Sequence, residues 1–102
     1  MSEPLNLTAD GYIDDFIEAT PIHNNWLFVY WPKNKAGRLS KDMVKRLRAI
    51  ERQLSEHAFR GWVCNSEKSH GEMHKLIKKF GARPYAENAD LIFFKKEIVH
   101  VQ

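Results

Sequence analysis

Two short apolar runs bracket a stretch with helical periodicity, and that arrangement constrains the fold more than any other feature of the chain. The first run, Trp26-Leu-Phe-Val-Tyr-Trp31, is aromatic and β-branched without a polar break, the pattern of a strand buried on both faces, and Pro32 ends it. Beyond it, Met43, Leu47, Ile50 and Leu54 recur at spacings of four, three and four and make one apolar stripe, while Lys41, Lys45, Arg46, Arg48 and Arg52 take the other faces. Ser40 is placed to cap this helix, and Leu39 with Val44 to staple its first turn, so a helix is predicted from Ser40 to about His57. The second run, Phe59-Arg-Gly-Trp-Val-Cys-Asn65, reads as another short buried strand. Strand, helix and strand in this order predict a parallel pair joined by a right-handed crossover.

The rest of the chain extends this unit. Ser69-His-Gly-Glu72 reads as a capping box opening a second helix with Met73, Leu76, Ile77 and Phe80 on its inner face, and Gly81 stops it. Strands at Arg83–Glu87 and Leu91–Glu97, joined by the Asn88-Ala-Asp90 turn, predict a terminal hairpin that makes the sheet mixed. Upstream, residues 1–8 read as a loose arm. Residues 9–20 read as a helix with Tyr12, Ile13, Phe16 and Ile17 on one face, Asp10 as N-cap and Pro21 closing it; Asn24-Asn25 is a turn signal. The prediction is a single α/β domain over residues 1–102, with the order α-β-α-β-α-β-β. With no strand before it, Trp26–Trp31 is expected to lie at a sheet edge that a second copy of the chain, or another protein, completes.

Composition excludes several classes. With 43% hydrophobic and 28% charged residues the chain is globular rather than disordered. Its longest apolar run is far short of the roughly 20 residues that span a bilayer, and the start, M-S-E-P-L-N-L-T-A-D, lacks the basic and apolar regions of a secretory signal; no membrane association and a cytoplasmic location are expected. Cys64, the single cysteine, reads as a small buried hydrophobe.

Three groups of residues bear on chemistry. The segment Lys35, Ala36, Gly37, Arg38, Leu39 and Ser40 lies between the first strand and a helix N-terminus, where free N–H groups and the helix dipole suit a pyrophosphate, although only Ala36 and Gly37 are small enough for close approach. His70 and His74 stand one helical turn apart, but the acid between them is misplaced for a zinc-protease pattern. A third ligand from Cys64, Asp90 or His100 has no spacing logic, so no metal site is predicted. The basic helix face, with Trp31, Trp62 or Tyr85 as stacking partners, suggests nucleic acid. However, Asp42, Glu51 and Glu56 interrupt the charge, the net charge is only +3, and aromatic residues in strand patterns read as core, which argues against it.

From Trp26 to Glu97, the order and spacing of W-L-F-V-Y-W, S-K-D-M-V-K-R-L-R-A-I, G-W-V-C-N and M-H-K-L-I-K-K-F-G-A-R-P-Y resemble the C-terminal half of the GNAT acyl-CoA N-acetyltransferase superfamily. The resemblance implies a central strand feeding a pyrophosphate loop and a splayed parallel neighbour. The family loop carries Gln or Arg, then Gly, then Gly or Ala; its positions fall on Lys35, Arg38 and Ser40, or on Asn34, Gly37 and Leu39 in a shifted register. The family's frequent catalytic tyrosine corresponds to Ile77, and most of the family's N-terminal half has no counterpart. So degenerate a member resembles accessory or head-assembly proteins of tailed phages. This implies a non-catalytic scaffold working through protein contacts, without a cofactor, in the bacterial host cytoplasm or the virion. The alternative it implies is a small acetyl-CoA-dependent N-acyltransferase completed by dimerisation. There the Val29–Trp31 backbone would pair with pantetheine and residues 35–40 hold pyrophosphate, with Cys64, His70 and His74 nearest the expected site.

Overall fold

A computed structural model of the protein describes residues 6–32 and 40–98. Its strands are β1 (Tyr12–Ile13), β2 (Glu18–Ile22), β3 (Trp26–Tyr30), β4 (Gly61–Glu67), β5 (Arg83–Glu87) and β6 (Leu91–Glu97), and its helices are α1 (Lys41–Gln53) and α2 (Gly71–Lys79). The strands form one sheet in the order β1-β2-β3-β4-β6-β5, in which β3 and β4 are parallel and every other neighbouring pair is antiparallel. The parallel pair and the terminal hairpin are those the sequence predicts.

α1 forms for the reasons read from its sequence. Ser40 Oγ accepts from the Met43 N–H at 3.3 Å, and Met43, Leu47, Ile50 and Leu54 are all at most 4% exposed. The last predicted turn tightens into a 3₁₀ segment, Leu54–His57, closed by Ala58 at φ +59°. α2 ends in a Schellman motif: the Gly81 N–H donates to the Lys78 carbonyl at 2.9 Å and the Ala82 N–H to that of Ile77 at 3.4 Å, with Gly81 at φ +94°. Its start differs from the prediction, because His70 takes the N-cap position without a side-chain cap, and its N–H is turned back to the Glu67 carbonyl at 3.0 Å.

Both helices lie on one face of the sheet. Glu51 of α1 accepts from Trp62 Nε1 at 2.7 Å and pairs with Lys96 at 2.9 Å, and His74 of α2 packs its ring on Phe94. Trp62 faces Lys96 and Cys64 faces Phe94 across the β4–β6 ladder, so all four share that face. The core fills the space between: Leu27, Trp62 and Phe94 from the sheet meet Leu47, Ile50 and Ile77 from the helices.

The N-terminal segment corrects the prediction. Residues 9–20 form no helix; β1 and β2 build a hairpin, so the element order begins β-β-β. Asp14 is the physical reason. Its Oδ1 accepts from the N–H groups of Phe16 at 2.6 Å and Ile17 at 2.9 Å, two donors that a helix would have sent to its own carbonyls. Gly11 at φ +96° sits so close to β2 that a Cβ there would lie 2.1 Å from the Ala19 carbonyl oxygen. The apolar pairs at 12–13 and 16–17, read as one helical face, are the two sides of this turn: Ile17 is fully buried and Ile13 is 72% exposed. Of the expected loose arm, residues 1–5 lie outside the described residues, while Leu7 is buried and its N–H donates to Gln53 Oε1 at 2.8 Å.

The hairpin removes the predicted open edge. β2 pairs along the whole of β3, from Ile22↔Trp26 to Glu18↔Tyr30, and β4 pairs with Trp26–Phe28 on the other side, so the Trp26–Tyr30 strand is internal to the sheet rather than at its edge. Asn24 and Asn25, at φ +63° and +64°, make the β2–β3 turn that their sequence signals.

Candidate functional site

The parallel ladder between β3 and β4 is short. It runs through Trp26↔Gly61, Leu27↔Trp62 and Phe28↔Val63 and then stops, although β3 continues to Tyr30 and β4 to Glu67. Beyond Phe28 the two strands keep other partners, β2 for one and β6 for the other, and these hold their ends apart. The divergence opens a cleft of about 250 Å³, walled by Val29, Tyr30 and Trp31 on one side and by Asn65, Ser66 and Glu67 on the other, with His70 and Leu91 completing its lining. A gap between parallel strands leaves backbone N–H and C=O groups facing it without ladder partners, a ready surface for an extended polar chain.

Two features give this cleft chemical character. Trp31 is 5% exposed, and its indole N–H has no hydrogen-bond partner among the described residues, which is unusual for a buried donor. His70, which also lines the cleft, has its Nε2 3.2 Å from Glu67 Oε2, so a carboxylate lies beside the imidazole.

Of the loop residues expected to bind an anion, Lys35, Ala36, Gly37, Arg38 and Leu39 lie outside the described residues, and Ser40 is the N-cap of α1. His100 also lies outside them. Among the residues named nearest the site, the structure separates three fates. His70 lines the cleft. His74, one turn on, rests on Phe94 with ring centroids 5.5 Å apart and reaches the Glu67 carbonyl at 2.9 Å. Cys64 points into the core, where burial pushes its thiol pKa up to about 12 and leaves it a poor nucleophile. Among the described residues no group of three or more His, Cys, Asp or Glu could hold a metal ion. Trp31 and Trp62, considered as stacking partners, are buried. Val29, Tyr30 and Trp31 line the cleft, as the resemblance implies, while Asn65, Ser66 and Glu67 join them without a signal in the sequence, because no local pattern marks where a parallel ladder ends.

A mixed sheet with one splayed parallel pair, a crossover helix and a terminal hairpin makes a GNAT-like fold. The structure is similar to the crystal structure of the Campylobacter jejuni N-acetyltransferase PseH, with a TM-score of 0.55 and 14% sequence identity, covering 79% of this chain and 57% of that one. The chain thus spans little more than half the length of that protein, and the likeness at this identity is one of fold. No protein-family model matches the sequence, and no curated protein matches it.

Proposed function

We propose that the cleft between β3 and β4 binds an acyl-coenzyme A and that the domain serves N-acyl transfer. The observation that carries this reading is the early end of the parallel ladder at Phe28↔Val63 between strands that run on to Tyr30 and Glu67. The residues present fit the pantetheine arm of such a ligand: it is a slender chain of amides, and the cleft offers unpaired strand backbone and the Asn65 side chain. Residues 35–40 are the proposed holders of its pyrophosphate. When bound, the coenzyme supplies a thioester, an acyl group activated toward amines. The chain's own contribution is to orient and to manage the proton. In this reading His70, 3.2 Å from Glu67, takes it from an acceptor amine that enters the cleft.

Calorimetric titration with acetyl-CoA tests this, with a micromolar dissociation constant expected. His70→Ala should leave that binding within about twofold and remove transfer. No heat up to millimolar acetyl-CoA would overturn the proposal.

A second reading, a scaffold acting through protein contacts without acyl transfer, as in an accessory or virion-associated phage protein, has one observation of its own. Ile77, at the position where the resemblance implies a tyrosine acid, is fully buried in the core. Failure of acetyl-CoA to bind would favour it.

A further inference from the structure

The sheet face opposite the helices is covered by no described element, and its side chains are not those of an ordinary solvated surface. Trp26, Phe28 and Tyr30 stand on it at alternate positions of β3, about 6.6 Å apart along the strand. Phe93 of β6 lies beside Tyr85, which the β5 bulge turns onto this face with 6.4 Å between ring centroids. Tyr30 is 51% exposed and Tyr85 48%. Cations gather at one end. The Lys95 ammonium lies 5.8 Å from the Trp26 ring centroid and 5.3 Å from that of Tyr85, the Arg60 guanidinium lies 5.2 Å from Trp26, and Arg83 faces Lys95 across the hairpin. Glu97 pairs with Arg60 at 3.0 Å, and the other acids of this face, Glu18 and Glu67, sit toward its far end. A shallow groove of about 190 Å³ runs between Trp26, Tyr85 and Lys95.

We propose that this end of the open face binds a short stretch of single-stranded nucleic acid, its bases stacking on Tyr85 and Trp26 and its phosphates meeting Lys95, Arg60 and Arg83. Two physical requirements select this occupant. The exposed rings ask for planar, apolar surface, and the cations beside them ask for anions. An apolar protein partner would bury Lys95 and Arg83 with nothing to offset their desolvation. A single strand supplies a base and a phosphate at every step, whereas a duplex hides its bases. An uncovered sheet with aromatic side chains on adjacent strands and helices behind it is a layout that accepts about two or three stacked bases. The charge interruptions on α1 do not bear on this face, which lies on the other side of the sheet. The proposal does not rest on acyl-CoA binding, since the groove and the cleft are lined by different residues.

Fluorescence anisotropy with labelled dT12 and U12 at 50 and 200 mM NaCl, a hairpin duplex as control, and the solution mass measured alongside tests the proposal. The expected result is single-strand binding that weakens with salt, falls at least about fivefold in Tyr85→Ala, returns in Tyr85→Phe, and shows a shallower salt dependence in Lys95→Gln. Circular dichroism checks that each variant is folded. Any of the following would overturn it: no binding at 50 mM NaCl, equal affinity for the duplex, or binding unchanged in both Tyr85→Ala and Lys95→Gln. So would a dimer that Tyr85→Ala dissolves, because the face would then belong to a second copy of the chain.

Discussion

Replacing Asp14 with alanine should unfasten the N-terminal hairpin, whose second strand pairs along β3. The carboxylate receives the Tyr12 hydroxyl at 2.7 Å, the N–H groups of Phe16 and Ile17, and Nε of Arg46, whose guanidinium also stacks 4.3 Å over Phe16. Burial alone would raise the Asp14 pKa; the hydrogen bonds from Tyr12, Arg46 and the two backbone N–H groups outweigh it and hold the pKa below its ordinary 3.8. Hydrogen bonds to a charged group contribute about 1.5–3 kcal/mol each, but both the Asp14 and Arg46 side chains are about one-fifth exposed, so water can replace part of what is lost. A loss of about 3 kcal/mol is therefore expected, or roughly 12–20 °C in Tm for a chain of this length.

Because the folded pKa is depressed, this contribution is fully present above about pH 4 and disappears as pH falls through the lower folded value. Urea unfolding followed by circular dichroism, run on both proteins from pH 7 down to pH 2, should give a constant gap above pH 5 that narrows below pH 4. A gap under about 1 kcal/mol at neutral pH, or one that persists undiminished in acid, would refute the assignment of Asp14 as the anchor.

Three further outcomes are expected. Cys64 should resist iodoacetamide at pH 8 in the native protein and react fully in denaturant, since its thiolate is disfavoured by burial; rapid native labelling would contradict its place in the core. Gly61→Ala should cost about 3 kcal/mol in urea unfolding, because the new Cβ would lie 2.0 Å from the Lys96 carbonyl oxygen and 2.9 Å from the Glu97 Cα, neither of which can step aside. Glu51→Ala strands the indole N–H of fully buried Trp62 and leaves Lys96 without its carboxylate, and a loss of about 2–3 kcal/mol should appear in the same assay.

Elements whose cause is local were legible in the chain. The stripe of Met43, Leu47, Ile50 and Leu54 fixes its own periodicity, Gly81 and Asn24-Asn25 carry the left-handed conformations their turns need, and Asn88 Oδ1 closes the last hairpin by accepting from the Asp90 and Leu91 N–H groups. The crossover and the terminal hairpin follow from those pieces. Where two local readings compete, tertiary contacts decide. Tyr12, Ile13, Phe16 and Ile17 satisfy a helix as well as a hairpin, and the choice falls to Asp14 when Arg46, 32 residues away, supplies its cation. Pro21, read as a helix stop, stands in β2 opposite Leu27, beyond the reach of the short β1, where a missing N–H takes nothing from an outer ladder.

The candidate sites divide in the same way. His70 and Tyr85 were visible as residue types, and the GNAT-like fold was visible as an order of elements. Sequence by itself determined which segments are helix and strand in residues 41–97 and which faces of them are apolar, because those depend on neighbours three or four residues away. Only the tertiary structure decided where the β3–β4 ladder ends, that β3 is internal, and that both helices choose one face and leave Trp26, Tyr30 and Tyr85 on the other. Those outcomes depend on which strand competes for each edge and which face the core claims, and neither preference is written in any single stretch of residues.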